Sequence, residues 1–310
     1  MTPAAAIPVF LASIALMLWA AAAFARRLDH IGERLGMPEA LLGLLTALAA
    51  DAPELSSAIT ALVSHQSSVA VGVVVGSNAF NLAAMLGLSA LVAARVRARH
   101  SVFQLEAFAG LWFAGVCLAV VAGWLGGRIG LVLVVLVAIP YVISLGRSER
   151  SERRRESAID VLRECRQLVL ILMLALGVIV AGSVGAVHAA TDLGHAWSVP
   201  DTIVGVLVLA ILTSLPNAWT GVRFGLQGRG SALMSETMNS NSINLVAGLA
   251  LPAALGSFVG FSRLDMFDLA WLLGMTGVAV VLFGRRDGGG RLAGALLIAL
   301  YAVFVAVQLR

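Results

Sequence analysis

Lysine is missing from this chain altogether, and charged residues of any kind make up only 12% of its 310 residues. The usual charged share is roughly 25%. A soluble domain with so few charges would lack a hydrated surface, so a free-standing globular protein is excluded. The two cysteines, Cys117 and Cys165, give no disulfide framework and no metal-ligand spacing. Both read as packing residues. Strict apolar/polar alternation over about ten residues, the mark of a membrane β-barrel, is also missing. No positive charge precedes the first apolar run, and arginines follow it. That is the reverse of a secretory signal, so the run is expected to stay as a span.

What the chain does have is apolar length, with 60% of its residues hydrophobic. A membrane helix needs about 17–25 apolar residues. Ten runs qualify, at 7–25, 40–63, 69–94, 103–125, 129–145, 168–187, 203–224, 233–255, 267–283 and 292–309. The fold class expected is therefore an all-α polytopic membrane protein. The connections numbered one, three, five, seven and nine, with their flanks, hold all 21 arginines except Arg128, Arg263 and Arg310. By the positive-inside rule these connections are cytoplasmic and both termini lie outside. The net charge of +4 thus reports topology. The Arg/Glu/Ser-rich run at 147–155 reads as a solvated cytoplasmic loop that also fixes orientation, not as a nucleic-acid patch.

Part of the chain occurs twice. Adding 163 to the residue number carries Pro53 to Pro216, Ser77 to Ser240, Asn78 to Asn241, Asn81 to Asn244 and Leu82 to Leu245. An offset held without a gap marks an internal duplication. The longest hydrophilic stretch, 147–160, leaves five spans on either side. An odd number per half places the halves in opposite orientations, the inverted-repeat plan of many secondary transporters. The division expected is residues 1–150, a cytoplasmic linker at 151–160, and residues 161–310.

The duplicated stretches carry the polar groups. The second span holds Asp51 and Glu54 around Pro53, and Ser56, Ser57 and Thr60 extend the polar stripe. Ionisable groups inside a span are costly and mark functional interiors. Proline removes a helical hydrogen bond, so carbonyls near it need other partners, and a cation is one. The third span adds Ser77, Asn78 and Asn81 after Gly72 and Gly76, glycines that admit a neighbouring helix closely. The seventh adds Thr213, Ser214 and Asn217 beside Pro216. The eighth adds Glu236, Ser240, Asn241 and Asn244, with Glu236 one turn before Ser240 on the same face. Carboxylates, amides, hydroxyls and carbonyls, with no thiolate or imidazole, suit a hard cation. The fourth, fifth, ninth and tenth spans read as scaffold, with Glu106 near an end and Asp265 and Asp268 at an outer edge. His188, Asp192, His195 and Asp201 read as a solvated outer connection.

With two inverted repeats, the first holding P-E-L and G-S-N-x-x-N and the second more divergent, the chain resembles the sodium/calcium exchanger family of the calcium/cation antiporters. The resemblance covers both halves. It implies ten helices, a central cation site, alternating access by sliding of the first and sixth helices, and sodium entry driving calcium export. By position it assigns Glu54, Asn81, Asn217 and Asn244 to the central site. It assigns Ser77, Ser240, Thr213, Ser214 and the carbonyls near Ala47 and Ala210 to places that usually serve sodium. The family normally has glutamate at 217, often aspartate at 81 or 244, serine or threonine at 51, and asparagine at 236. Two acids stand displaced by about a turn.

Charge arithmetic leaves the ion open. Glu54 alone would leave a divalent ion with one uncompensated charge. If Asp51 or Glu236 reaches the site, the charge balances; if neither does, a monovalent ion fits better, and protons compete in both cases. The functional expectation is a cation antiporter of the inner membrane that carries Ca²⁺ against Na⁺ or H⁺. Its partners are cations and the bilayer, with no cofactor, no catalysis and no obligate protein partner. The alternatives are monovalent cation exchange on the same fold and a non-transporting membrane scaffold or sensor.

Overall fold

The computed structural model describes residues 1–34, 47–97, 100–147, 158–258 and 260–309. Its helices fall where the apolar runs predict. They are Pro3–Arg34 (α1), Ala52–Val63 (α2), Ser67–Val92 (α3), His100–Val121 (α4), Gly127–Arg147 (α5) and Ala158–Ala196 (α6). In the second half Asp201–Thr213 (α7) and Leu215–Leu226 (α8) form one span bent by 48°. Gly230–Leu245 (α9) runs on through a π-helical stretch, Val246–Ala250, into Leu251–Ala254. Arg263–Phe283 (α10) and Arg291–Gln308 (α11) complete the chain.

Among the described residues, seven helices are long and apolar enough to cross a membrane by themselves, and the bent α7–α8 pair makes eight. The two remaining spans fall short for different reasons. Helix α2 has 12 residues, preceded by a helical turn at 47–50, and the rest of its run lies outside the described residues. In α9 the polar sequence from Ser235 to Ser242 interrupts the apolar run. Both shortfalls coincide with the segments that carry the duplicated polar groups.

The inverted plan is visible in which connections meet. At one end, Arg95–Val96 (β1) pairs antiparallel with Gly289–Gly290 (β2), joining connections three and nine. At that same end Gly230, after connection seven, lies against the backbone of Arg97, where a Cβ would come within 2.2 Å of a carbonyl oxygen. At the other end the Met1 amine pairs with Asp192 at 2.5 Å, and Thr191 donates to Gln66 at 3.2 Å. Connections three, seven and nine thus gather at one end, and connections two and six with the N-terminus at the other.

Helix α3 sits at the centre, with 94% of its membrane window buried against 17–56% for the other single-helix spans. Lipid gives helices no hydrophobic reason to associate, so close backbone contact and polar links must hold them. Gly72 and Gly76 supply the first. A Cβ on Gly76 would lie 2.6 Å from the Val206 carbonyl oxygen, and one on Gly205 would lie 2.5 Å from that of Val69. The neighbour these glycines admit is therefore α7. Long helices α1 and α6 pack on each other at the side of this core, with Gly182 against Met17 and Gly185 against Ser13.

Two sequence readings need correction, and a third falls largely outside the described residues. Helix α6 is described from Ala158, and residues 148–157, most of the expected 151–160 linker, lie outside the described residues. The same helix runs on to Ala196, so His188, Asp192 and His195 are helical and the outer connection is only 197–200. Once in water a helix no longer needs apolar side chains, so hydropathy does not mark its end. Asp265 and Asp268 are buried, not set at an exposed edge, because α10 packs that face inward.

Candidate cation site

Two helix breaks build the site, one per repeat. Asp51 precedes α2 with φ −81° and ψ −5°, and Ser214 precedes α8 with φ −87° and ψ 0°. These positions are related by the offset of 163, and each stands two residues before a proline. Pro53 and Pro216 have no N–H to give the carbonyls of Ala49 and Leu212, four residues earlier. The carbonyls of Ala47 and Ala210, which the resemblance assigns to the sodium positions, accept the amides of Asp51 at 2.8 Å and Ser214 at 3.1 Å. Each carbonyl oxygen keeps a second lone pair for another partner.

Residues equivalent in the two repeats touch one another. Asn78 Nδ2 donates to the Asn241 carbonyl at 3.0 Å, and Asn241 Nδ2 returns a bond to the Asn78 carbonyl at 3.1 Å. Asn81 Nδ2 donates to Asn241 Oδ1 at 3.4 Å, and its equivalent Asn244 donates to Asn78 Oδ1 at 3.1 Å. Ser214 donates to Glu54 Oε1 at 2.9 Å, and Asn217 donates to Asp51 Oδ1 at 2.8 Å, again an equivalent pair. Such reciprocal contacts occur only along a pseudo-two-fold axis. After each S-N-x-x-N motif the helix widens to a π turn, at Leu82–Leu88 and Val246–Ala250. Such π turns are frequent at functional sites.

The acids are brought together by one amide. Asn217 Nδ2 lies 2.8 Å from Asp51 Oδ1 and 3.2 Å from Glu54 Oε1. Ser240 donates to Asp51 at 2.6 Å and accepts from Asn81 at 3.0 Å. Asp51 is therefore the carboxylate that joins Glu54. Glu236 is buried one turn away and makes no hydrogen bond to either acid. Among the described residues no three His, Cys, Asp or Glu side chains form a metal-holding group. Ser77 and Thr213 turn back onto their own helices, Ser77 to the carbonyl of Val73 and Thr213 to that of Leu209 at 2.9 Å.

These polar groups are shut off from solvent. Asp51, Glu54, Ser77, Asn78, Asn81, Thr213, Ser214, Asn217, Ser240, Asn241 and Asn244 are each at most 4% exposed. Five of their oxygens are buried without a hydrogen-bond partner: Asp51 Oδ2, Glu54 Oε2, Asn81 Oδ1, Asn217 Oδ1 and Asn244 Oδ1. Each buried, unpaired acceptor costs about 1–3 kcal/mol. A cation is the group that satisfies acceptors alone, and two carboxylates with amide oxygens match the hard-ion preference of Ca²⁺ or Na⁺.

Sequence reasoning missed the polar links beside the chamber. Ser235 donates to buried Glu106 at 2.5 Å, and the Tyr141 hydroxyl donates to Asn239 Oδ1. They tie α4 and α5 to α9. The available signal was the run of polar residues in α9, of which only one face had been assigned.

A profile of the sodium/calcium exchanger protein family matches residues 5–148 and 167–310, one stretch in each repeat. The chain belongs to that family. The exchanger fold is matched by solved structures of the sodium-calcium exchanger NCX_Mj, with a TM-score of 0.68, 20% identity and coverage of 98% of this chain and 99% of that one. An uncharacterized membrane protein of Methanocaldococcus jannaschii is 23% identical over 96% of both chains. Inner membrane protein YrbG of Escherichia coli is 27% identical over 88% of this chain and 87% of its own. Human sodium/potassium/calcium exchanger 4 is 32% identical over 37% of this chain and 20% of its own. Family membership, the fold and the buried oxygen-lined chamber together make this multi-pass membrane protein a cation antiporter.

Proposed function

We propose that this antiporter exchanges Ca²⁺ for Na⁺ or H⁺ by alternating access at the chamber between the repeats. The observation that carries the reading is the pairing of Asp51 with Glu54 around the Asn217 amide. Two carboxylates balance a divalent ion, which the sequence left open. The entering ion takes the acceptors that lack a partner, Asp51 Oδ2 and Glu54 Oε2 among them, while Asn217 Nδ2 and Ser240 Oγ keep their bonds to the other carboxylate oxygens and hold the acids in place. The expected ligands are Glu54, Asp51, Asn81, Asn217 and Asn244, with Asn78 and Asn241 holding the repeats in register. Ser77, Thr213, Ser214 and Ser240 supply hydroxyls for the coupling ion. The arginine distribution supports cytoplasmic odd connections and outside termini. The Escherichia coli relative supports an inner-membrane location.

The test is ⁴⁵Ca²⁺ uptake into vesicles under an imposed Na⁺ or pH gradient. Uptake should follow one of the gradients, and Glu54→Gln should abolish it, because breaking a buried charge set costs about 3–5 kcal/mol. Uptake that ignores both gradients, or full activity in Glu54→Gln, refutes the proposal. A second reading, monovalent cation exchange, is favoured by one observation: Asn217 stands where the family usually has glutamate. Calorimetry separates the two, since calcium binding much tighter than sodium binding leaves no room for it.

A further inference from the structure

Buried side-chain oxygens and nitrogens without a hydrogen-bond partner fall, Ser89 aside, in two places among the described residues. One is the central chamber with Glu236 beside it. The other is the helix pair α10–α11, which the antiport reading does not use. Its orphaned atoms are Asp265 Oδ1, Asp268 Oδ2 and Trp271 Nε1 on α10 and the Tyr301 hydroxyl on α11.

Asp265, Asp268 and Trp271 succeed one another at three-residue steps, which places them along one side of α10. Asp265 is 3% exposed and Asp268 fully buried. Each carboxylate commits one oxygen to the protein. Asp265 Oδ2 accepts the Ser262 amide at 2.6 Å, while the Asp265 amide bonds Ser262 Oγ at 3.1 Å, closing a capping box. Asp268 Oδ1 accepts from Gln308 Nε2 on α11. The second oxygen of each is left over. No cation of the protein answers them, since no ion pair among the described residues involves α10 or α11.

We propose that α10 and α11 hold a second, peripheral site for a hard divalent cation, with Asp265 and Asp268 as its carboxylate ligands. Two carboxylates balance two positive charges, and the absence of sulfur and imidazole from this group selects the calcium class over soft metals. Water completes the coordination shell, and the Trp271 N–H can donate to a water of that shell. The acids follow directly on the exposed turn at Ser262 and Arg263, so an ion arrives from the side of the even connections. Asp268 is tied to Gln308, seven residues beyond Tyr301 on α11, and the Tyr301 ring meets Phe80 of α3 edge-on at 5.8 Å. The two acids are thus separate from the transport chamber, and α11 also touches its central helix.

The test uses the full chain with the central acids neutralised, D51N/E54Q. In calorimetry with CaCl₂ this variant should still bind one calcium ion per chain, and adding D265N/D268N should weaken that binding by at least about tenfold. Terbium, an oxygen-seeking stand-in for calcium, should give tryptophan-sensitised emission in D51N/E54Q that calcium displaces. Adding W271F to that variant should remove the emission and keep the calcium heat, a split that a merely structural role would not produce. Lack of both calcium heat and terbium emission in D51N/E54Q overturns the site, as does unchanged binding after D265N/D268N. The terbium result also decides the matter if D265N/D268N fails to fold. Wild-type exchange with no calcium bound by D51N/E54Q sinks the peripheral site alone. Calcium bound by D51N/E54Q without exchange by the wild type sinks the calcium-exchange reading alone.

Discussion

The two repeats share a backbone and differ in charge. At the first break stand Asp51 and Glu54; at the equivalent positions of the second stand Ser214 and Asn217. The geometry is nevertheless reciprocal, because each acid accepts from the side chain equivalent to the other acid, Glu54 from Ser214 and Asp51 from Asn217. Duplication supplied two equal sets of positions, and this chain places both negative charges of the chamber on one of them. A cation at the axis feels the summed charge, not its division between halves. The hydroxyls differ as well. Ser240 reaches across to Asp51, whereas Ser77 bonds its own helix.

The strongest way to break this comparison is to move a charge. Asp51→Ser should lower calcium affinity by about 100-fold or more, since it leaves one buried charge against a divalent ion. Asp51→Ser combined with Asn217→Glu should recover most of that loss, because it returns the acid to the opposite repeat at the same distance from the axis. Calorimetry on purified protein reads both; a double variant no better than the single one shows that the halves are not interchangeable. A smaller contrast comes from the serines. Ser240→Ala removes a bond to a charged group and should cost about 1.5–3 kcal/mol of calcium binding, while Ser77→Ala should cost less than about 1 kcal/mol. Equal losses would erase the asymmetry. The smallest effect is expected from Glu236→Gln, within about threefold in affinity, since no hydrogen bond links Glu236 to the two acids. A loss as large as that of Asp51→Ser would make Glu236 the second charge.

The sequence carried the plan further than the contacts. Pro53, Pro216 and the two S-N-x-x-N motifs gave the offset of 163, and the same offset separates Asn78 from Asn241 and Glu54 from the Asn217 that bonds it. Among the described residues, connections three, seven and nine sort to one end and two and six to the other. Two things were hidden for physical reasons. A hydroxyl in a helix can bond its own carbonyl or a neighbour, and spacing does not choose between them, so the sequence did not show that Ser77 and Thr213 donate to their own helices while Ser240 donates to Asp51. An acid near a helix end can face water or protein, so Glu106, Asp265 and Asp268 looked like boundary residues although all three are buried.

The paired bonds between Asn78 and Asn241 have a mechanical consequence. In an inverted-repeat transporter the outward and inward forms interchange when the halves trade conformations. That exchange carries these two bonds into each other, so neither form requires them to part. Under the proposed alternating access they form a fulcrum that need not break from one turnover to the next.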